Sequence, residues 1–216
     1  WYLADDARRG AIEVAVAEAR ASIETRPEFM VNLMAIDGAK DELAIYIRET
    51  LPMDFPISSF DLDLDVMRAK VTEISAVKTA SVRIRPGGVL QIDVTQREAV
   101  VLWRNEDGLA LVDETGAYVA AATSRHARPD LPLIAGEGAN EHVTEALQLM
   151  QAAAPLGERL RGLVRMGDRR WDVVLDRDQR ILLPEVEPQH ALERVIALEG
   201  AQDILTRDVA RVDMRL

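Results

Sequence analysis

Residues 77–85, VKTASVRIR, and 89–96, VLQIDVTQ, alternate apolar and polar side chains on either side of Pro86-Gly87-Gly88. Ala80, Val82 and Ile84 fall on one face of the first run and Ser81, Arg83 and Arg85 on the other, while Leu90, Ile92 and Val94 align in the second. Period-two alternation around a Gly-rich turn predicts a β-hairpin. Upstream the period changes. Ser58, Ser59, Asp61 and Asp63 supply candidate N-caps for a helix carrying Val66, Met67, Ala69, Lys70, Val71 and Ile74. Residues 42–51 place Leu43, Ile47 and Leu51 on one helical face, and 29–36 read as a strand closed by the turn pair Asp37-Gly38. The order strand, helix, helix, strand, strand lets two helices cover one face of a three-stranded sheet, a small α+β unit. Before it, Ile12, Val16, Ala19 and Ile23 recur at helical spacing over 5–25, and Arg26-Pro27 ends that amphipathic helix.

Beyond Glu98 short strands dominate: 100–104, 109–113, 117–119, 160–166, 171–175, 180–183 and a last one at 209–216, with helices at 140–154 and 188–198. A second domain on an antiparallel sheet is expected. The chain therefore divides into a first helix (1–26), the small α+β unit (27–98) and a β-rich domain (99–216).

Composition narrows the function. The 216 residues carry a net charge of −11, which disfavours a nucleic-acid groove or an anionic membrane surface. The chain has no Cys, so disulfides, thiolate metal sites and thiol nucleophiles are excluded. No apolar run approaches the roughly 20 residues of a membrane helix. The opening Trp1-Tyr2-Leu3, followed by Asp5, Asp6, Arg8 and Arg9, fits the outer end of such a helix and fits a cut within a loop equally well.

Candidate chemistry is sparse. Asp61, Asp63 and Asp65 resemble the start of a calcium loop, but Val66 and Thr72 stand where it needs Gly and Glu. These acids suit a helix N-terminus instead. His126, His142 and His190 lack any ligand spacing, and no phosphate-binding or nucleophile-elbow motif occurs. No cofactor, metal or catalytic residue is expected. Binding by strand addition needs none, only an edge. The segment VARVDMRL, with Val209, Val212 and Met214 apolar and Arg211, Asp213 and Arg215 interspersed, is the best candidate edge; an interior strand completing the sheet has the same pattern.

The ordered set IDGAKDELAIYIRETL, SSFDLDLDVMRAKVTEISAV and KTASVRIRPGGVLQIDVTQREAVVLW resembles a POTRA domain of the FtsQ/DivIB type of bacterial division protein. LVDETGAYV, LPLIAGEGA, RRWDVVLDRDQRILLP, HALERVIAL and VDMRL resemble that family's β-rich second domain. Three features depart from its pattern: Ala76 replaces a frequent aromatic, Asp178-Gln179 replaces a Gly-containing turn, and the chain stops at Leu216, where relatives run on. The resemblance implies a single-pass inner-membrane protein whose juxtamembrane helix precedes a periplasmic POTRA domain. It implies a non-catalytic scaffold at the division septum that binds small coiled-coil proteins of the FtsB and FtsL type, with other septal proteins meeting the POTRA unit. By the same resemblance Arg215 pairs with the partner's acidic side chains, in an edge made of Arg211, Val212, Met214, Arg215 and Leu216. Lys78, Arg83 and Arg85 flank a second edge on the POTRA unit. A POTRA-type chaperone for exported β-strands is the alternative.

Overall fold

The computed structural model describes residues 10, 13–16, 26–207 and 209–215. Most of the helix expected over 5–25, and Leu216, lie outside the described residues. The chain parts into two compact units between Gln96 and Arg97.

The first unit runs β1 (Met30–Val31), β2 (Leu33–Asp37), α1 (Asp41–Thr50), β3 (Ile57–Ser58), α2 (Leu64–Thr72), β4 (Val77–Arg85) and β5 (Val89–Gln96). The hairpin forms as read, with Val82 opposite Ile92 and Ile84 opposite Leu90. β5 is central. It pairs antiparallel with β4 and parallel with β2, and the two helices lie in the connection that a parallel pair requires. Leu43 and Ile47 of α1, Met67 and Val71 of α2, and Val77, Leu90, Ile92 and Val94 of the sheet form its buried core. The acidic run before α2 does cap it: Asp63 Oδ1 accepts the Val66 amide at 3.0 Å. Gly38 follows β2 at φ +82°, and a Cβ there would stand 2.0 Å from the Val94 carbonyl oxygen, so the turn requires glycine. The sheet face away from the core is polar, and it is organised by buried Gln91, whose Nε2 donates to Asp37 at 2.8 Å and Asp93 at 2.9 Å.

The second unit contains β6 (Val101–Asn105), β7 (Gly108–Val112), β8 (Tyr118–Ala121), β9 (Leu133–Ala135), α3 (Val143–Ala152), β10 (Leu160–Met166), β11 (Arg170–Leu175), β12 (Arg180–Leu182), α4 (Pro188–Gln202) and β13 (Arg211–Asp213). Its eight strands form one sheet in the order β13-β12-β11-β10-β9-β6-β7-β8. The antiparallel expectation needs correction in detail. Both hairpin arms are antiparallel, but β9 pairs parallel with β6 and with β10, and β13 pairs parallel with β12, so the sheet is mixed. β9 is a strand absent from those expected beyond Glu98. Its three residues join the two arms, with Ile134 fully buried between Trp103 and Leu163. Val143, Ala146 and Leu149 of α3 and Ala191, Leu192 and Val195 of α4 pack with Trp171, Val173 and Ile181 of the sheet in one core.

A buried ion pair stands at the start of this unit. Asp113, 4% exposed, accepts Arg97 Nη1 at 2.7 Å, the Thr115 hydroxyl at 2.7 Å and the amides of Thr115 and Ala117. Burial works against its charge, yet these bonds outweigh burial and hold its pKa at about 2, below the ordinary 3.8. The folded pKa is the lower one, so the stability Asp113 adds is present above about pH 4 and is lost as pH falls towards 2. Thermal melts of Asp113→Asn against the parent between pH 2 and 7 are expected to differ most at neutral pH and to converge at the acid end; a constant gap would refute this.

Candidate functional site

β13 is an edge of its sheet among the described residues. The Ala210 carbonyl accepts the Arg180 amide at 3.1 Å and the Met214 amide donates to the Leu182 carbonyl at 3.0 Å. The ladder to β12 thus runs through the even-numbered residues, and the amides and carbonyls of Arg211 and Asp213 face away from the sheet. Side chains divide the other way. Val212 and Met214 pack on the core, whereas Arg211, Asp213 and Arg215 are exposed. The strand is shorter than the expected 209–216 because β12, which ends at Leu182, supplies partners only for Arg211–Asp213 and the Met214 amide. The Asp213 carboxylate accepts the Arg215 amide at 3.1 Å, Nε at 2.7 Å and Nη2, and these contacts hold its pKa at about 2.

The same sheet face holds residues the sequence reading did not single out. Asp172 lies opposite Leu182, which lies opposite Asp213, so one row crosses three strands. Asp172 is 4% exposed, and its Oδ1 has no hydrogen-bond partner among the described residues. Burial pushes its carboxyl above the ordinary range, against the pull of Arg170, Arg180, Arg215 and Arg211. In an acidic protein, four arginines around one buried carboxylate make a local cationic surface beside the free edge. A strand pattern shows Asp172 alternating with Trp171 and Val173, but alternation does not reveal that its side of the sheet is covered.

A second network delivers β13 to its place. Gln179, 5% exposed, donates through Nε2 to the carbonyls of Leu205 at 3.0 Å, Val209 at 2.8 Å and Arg207 at 3.4 Å. Its Oε1 accepts Arg159 Nη2 at 2.7 Å, and Arg159 also binds Asp176, Glu199 and the Leu205 carbonyl. Position 179, a departure from the family turn, is therefore the anchor of the segment before the edge. The backbone of Arg177 and Asp178 adopts positive φ in that turn, the conformation a glycine would otherwise supply.

In the first unit β4 is an edge of its sheet, as expected, and β2 is the other. Arg83 is paired with Asp93 at 2.8 Å, and Arg85 Nη1 donates to Gln91 Oε1 at 3.2 Å, so both lean across the hairpin; Lys78 is exposed. No group of three His, Asp or Glu among the described residues is placed to hold a metal ion, and no helix among them is long and apolar enough to cross a membrane. A cleft of about 270 Å³ is lined by Glu145, Leu149, Glu187 and His190 among others.

A family model described as cell division protein FtsQ/DivIB, C-terminal, matches residues 101–215. The chain is 64% identical over all its 216 residues to a cell division protein FtsQ of Roseobacter litoralis, of which it spans 74%. It is 52% identical over 97% of its length to the FtsQ of Cereibacter sphaeroides, spanning 68% of that protein. With the FtsQ of Jannaschia sp. it shares 48% identity over its whole length, spanning 69%.

Proposed function

Because the chain belongs to the FtsQ/DivIB family of cell division proteins, we propose that it is a non-catalytic scaffold of the divisome. In this reading the whole protein is a single-pass inner-membrane protein and the described units are periplasmic. The scaffold binds small coiled-coil division proteins of the FtsB and FtsL type by strand addition and so helps control septal peptidoglycan synthesis.

One observation carries the reading: β13 offers the backbone groups of Arg211 and Asp213 beside the Arg215 guanidinium. An incoming strand gains hydrogen bonds from the backbone groups, and a carboxylate on it gains register from the guanidinium fork. In this reading Arg211, Val212, Met214 and Arg215 meet the partner, with Val212 and Met214 as the apolar footing; Leu216, expected beside them, lies outside the described residues. The β4 edge, with Lys78, Arg83 and Arg85, serves other septal proteins in the same way.

Calorimetry with the periplasmic segments of the FtsB-type and FtsL-type proteins of the same organism tests this. The parent is expected to bind saturably and Arg215→Glu to bind about tenfold more weakly or worse. Unchanged affinity of Arg215→Glu would reject this site. Equal binding of unrelated extended apolar peptides would favour the chaperone alternative.

A further inference from the structure

At the C-terminal edge, the groups that would receive an acidic strand are already held in cis. The Asp213 carboxylate takes three donors from one residue, namely the Arg215 amide, Nε and Nη2. The Arg215 amide, two residues beyond the outward amide of Asp213, is bonded to this carboxylate and so is not open to a strand that extends past Asp213. The Nε and Nη2 side of the guanidinium is a bidentate carboxylate site, and this chain's own carboxylate fills it. Asp172, the other acid of the row, has its Oδ1 unpartnered among the described residues and makes no such claim on Arg215.

We propose that Asp213 is an intramolecular competitor for the edge, so that docking of an acidic extended segment on β13 exchanges a cis carboxylate for a trans one. This rests on the strand-addition reading above and adds what a partner must displace before it can dock. A neutral strand cannot replace the charge-assisted bonds it would displace, whereas an acidic strand can. The same cap blunts the edge against pairing with unrelated strands, as exposed edges require.

The test compares the parent with Asp213→Ala and with Asp213→Asn, which keeps the shape and removes the charge. Two readouts are taken: amide exchange at Arg215 in the free protein, and calorimetry with the periplasmic segment of the FtsB-type protein and with that segment carrying Asn and Gln for its acids. Asp213→Ala is expected to exchange the Arg215 amide faster and to bind both segments about two- to fivefold more tightly while still preferring the acidic one through Arg215, with Asp213→Asn intermediate. Weaker binding by Asp213→Ala would overturn the proposal, because Asp213 would then position Arg215 for its partner. Unchanged exchange at Arg215 would overturn it as well. If Arg215→Glu binds like the parent, the edge reading itself fails, and the exchange result still decides whether Asp213 caps the edge.

Discussion

Trp171→Ala is expected to lower the unfolding free energy of the second unit by about 3–5 kcal/mol. The indole is fully buried and belongs to the same core as Val143, Leu149 and Leu192. It also has two polar attachments. Nε1 donates to Glu145 Oε2 at 2.9 Å, the oxygen that also accepts Arg165 Nη1 at 3.0 Å, and the Arg165 guanidinium lies 5.1 Å from the ring centroid. Arg165 is 7% exposed, so its charge depends on these neighbours. Truncation to Ala therefore leaves a cavity and withdraws the ring from a buried cation at once. Trp171→Phe keeps most of the ring and deletes only the N–H, with an expected cost of about 1–3 kcal/mol. Urea denaturation of both variants checks the order; equal losses would mean that the ring does little beyond holding Glu145. Asp172 is the next residue of the same strand, so partner binding is expected to fall with the stability of this core.

Arg211→Pro is expected to abolish saturable binding of the FtsB-type segment while leaving the fold nearly as stable. The Arg211 amide faces away from β12, so a proline there removes no bond of the native ladder. Proline is tolerated on an edge strand in that orientation. It removes the Arg211 amide, a donor that the incoming strand would use, and sets its ring in the path of pairing, which strand addition cannot accommodate. Val212→Pro is the counterpart, because the Val212 amide belongs to the β12 ladder, and it is expected to lower thermal stability as well as binding. Melting temperatures and calorimetry on both variants separate the two roles. Retained binding by Arg211→Pro would show that the partner uses side chains rather than the backbone edge.

How much of this was legible in the residues varies by element. The β4–β5 hairpin, α1 and α2 were readable because each pattern is completed within one stretch of chain, as with Leu43 and Ile47 on one face of α1. β9 was not. Leu133–Ala135 is too short to show a period, and Ile134 is covered by neighbours that come from β6 and β10. The last strand was readable as a strand but not in its length, since that is set by the distant β12, whose pairing stops at Leu182. Arg215 stood out by resemblance and Gln179 only as part of a departure from the family turn, whereas Asp172 did not stand out. The roles of Asp172 and Gln179 lie in what covers them and in which carbonyls come within reach.

From the sequence alone came the α+β class and the lack of thiol chemistry, because composition and the periods of neighbouring residues are written along the chain, and the family, through the resemblance of its ordered stretches. Only the tertiary structure decided the strand order, the parallel joins at β9 and β13, and the pairing of Arg215 with Asp213 beside buried Asp172. Each of these depends on which distant segments share a hydrogen-bond ladder or a covered face, and a ladder leaves its unpaired backbone groups only where the sheet stops.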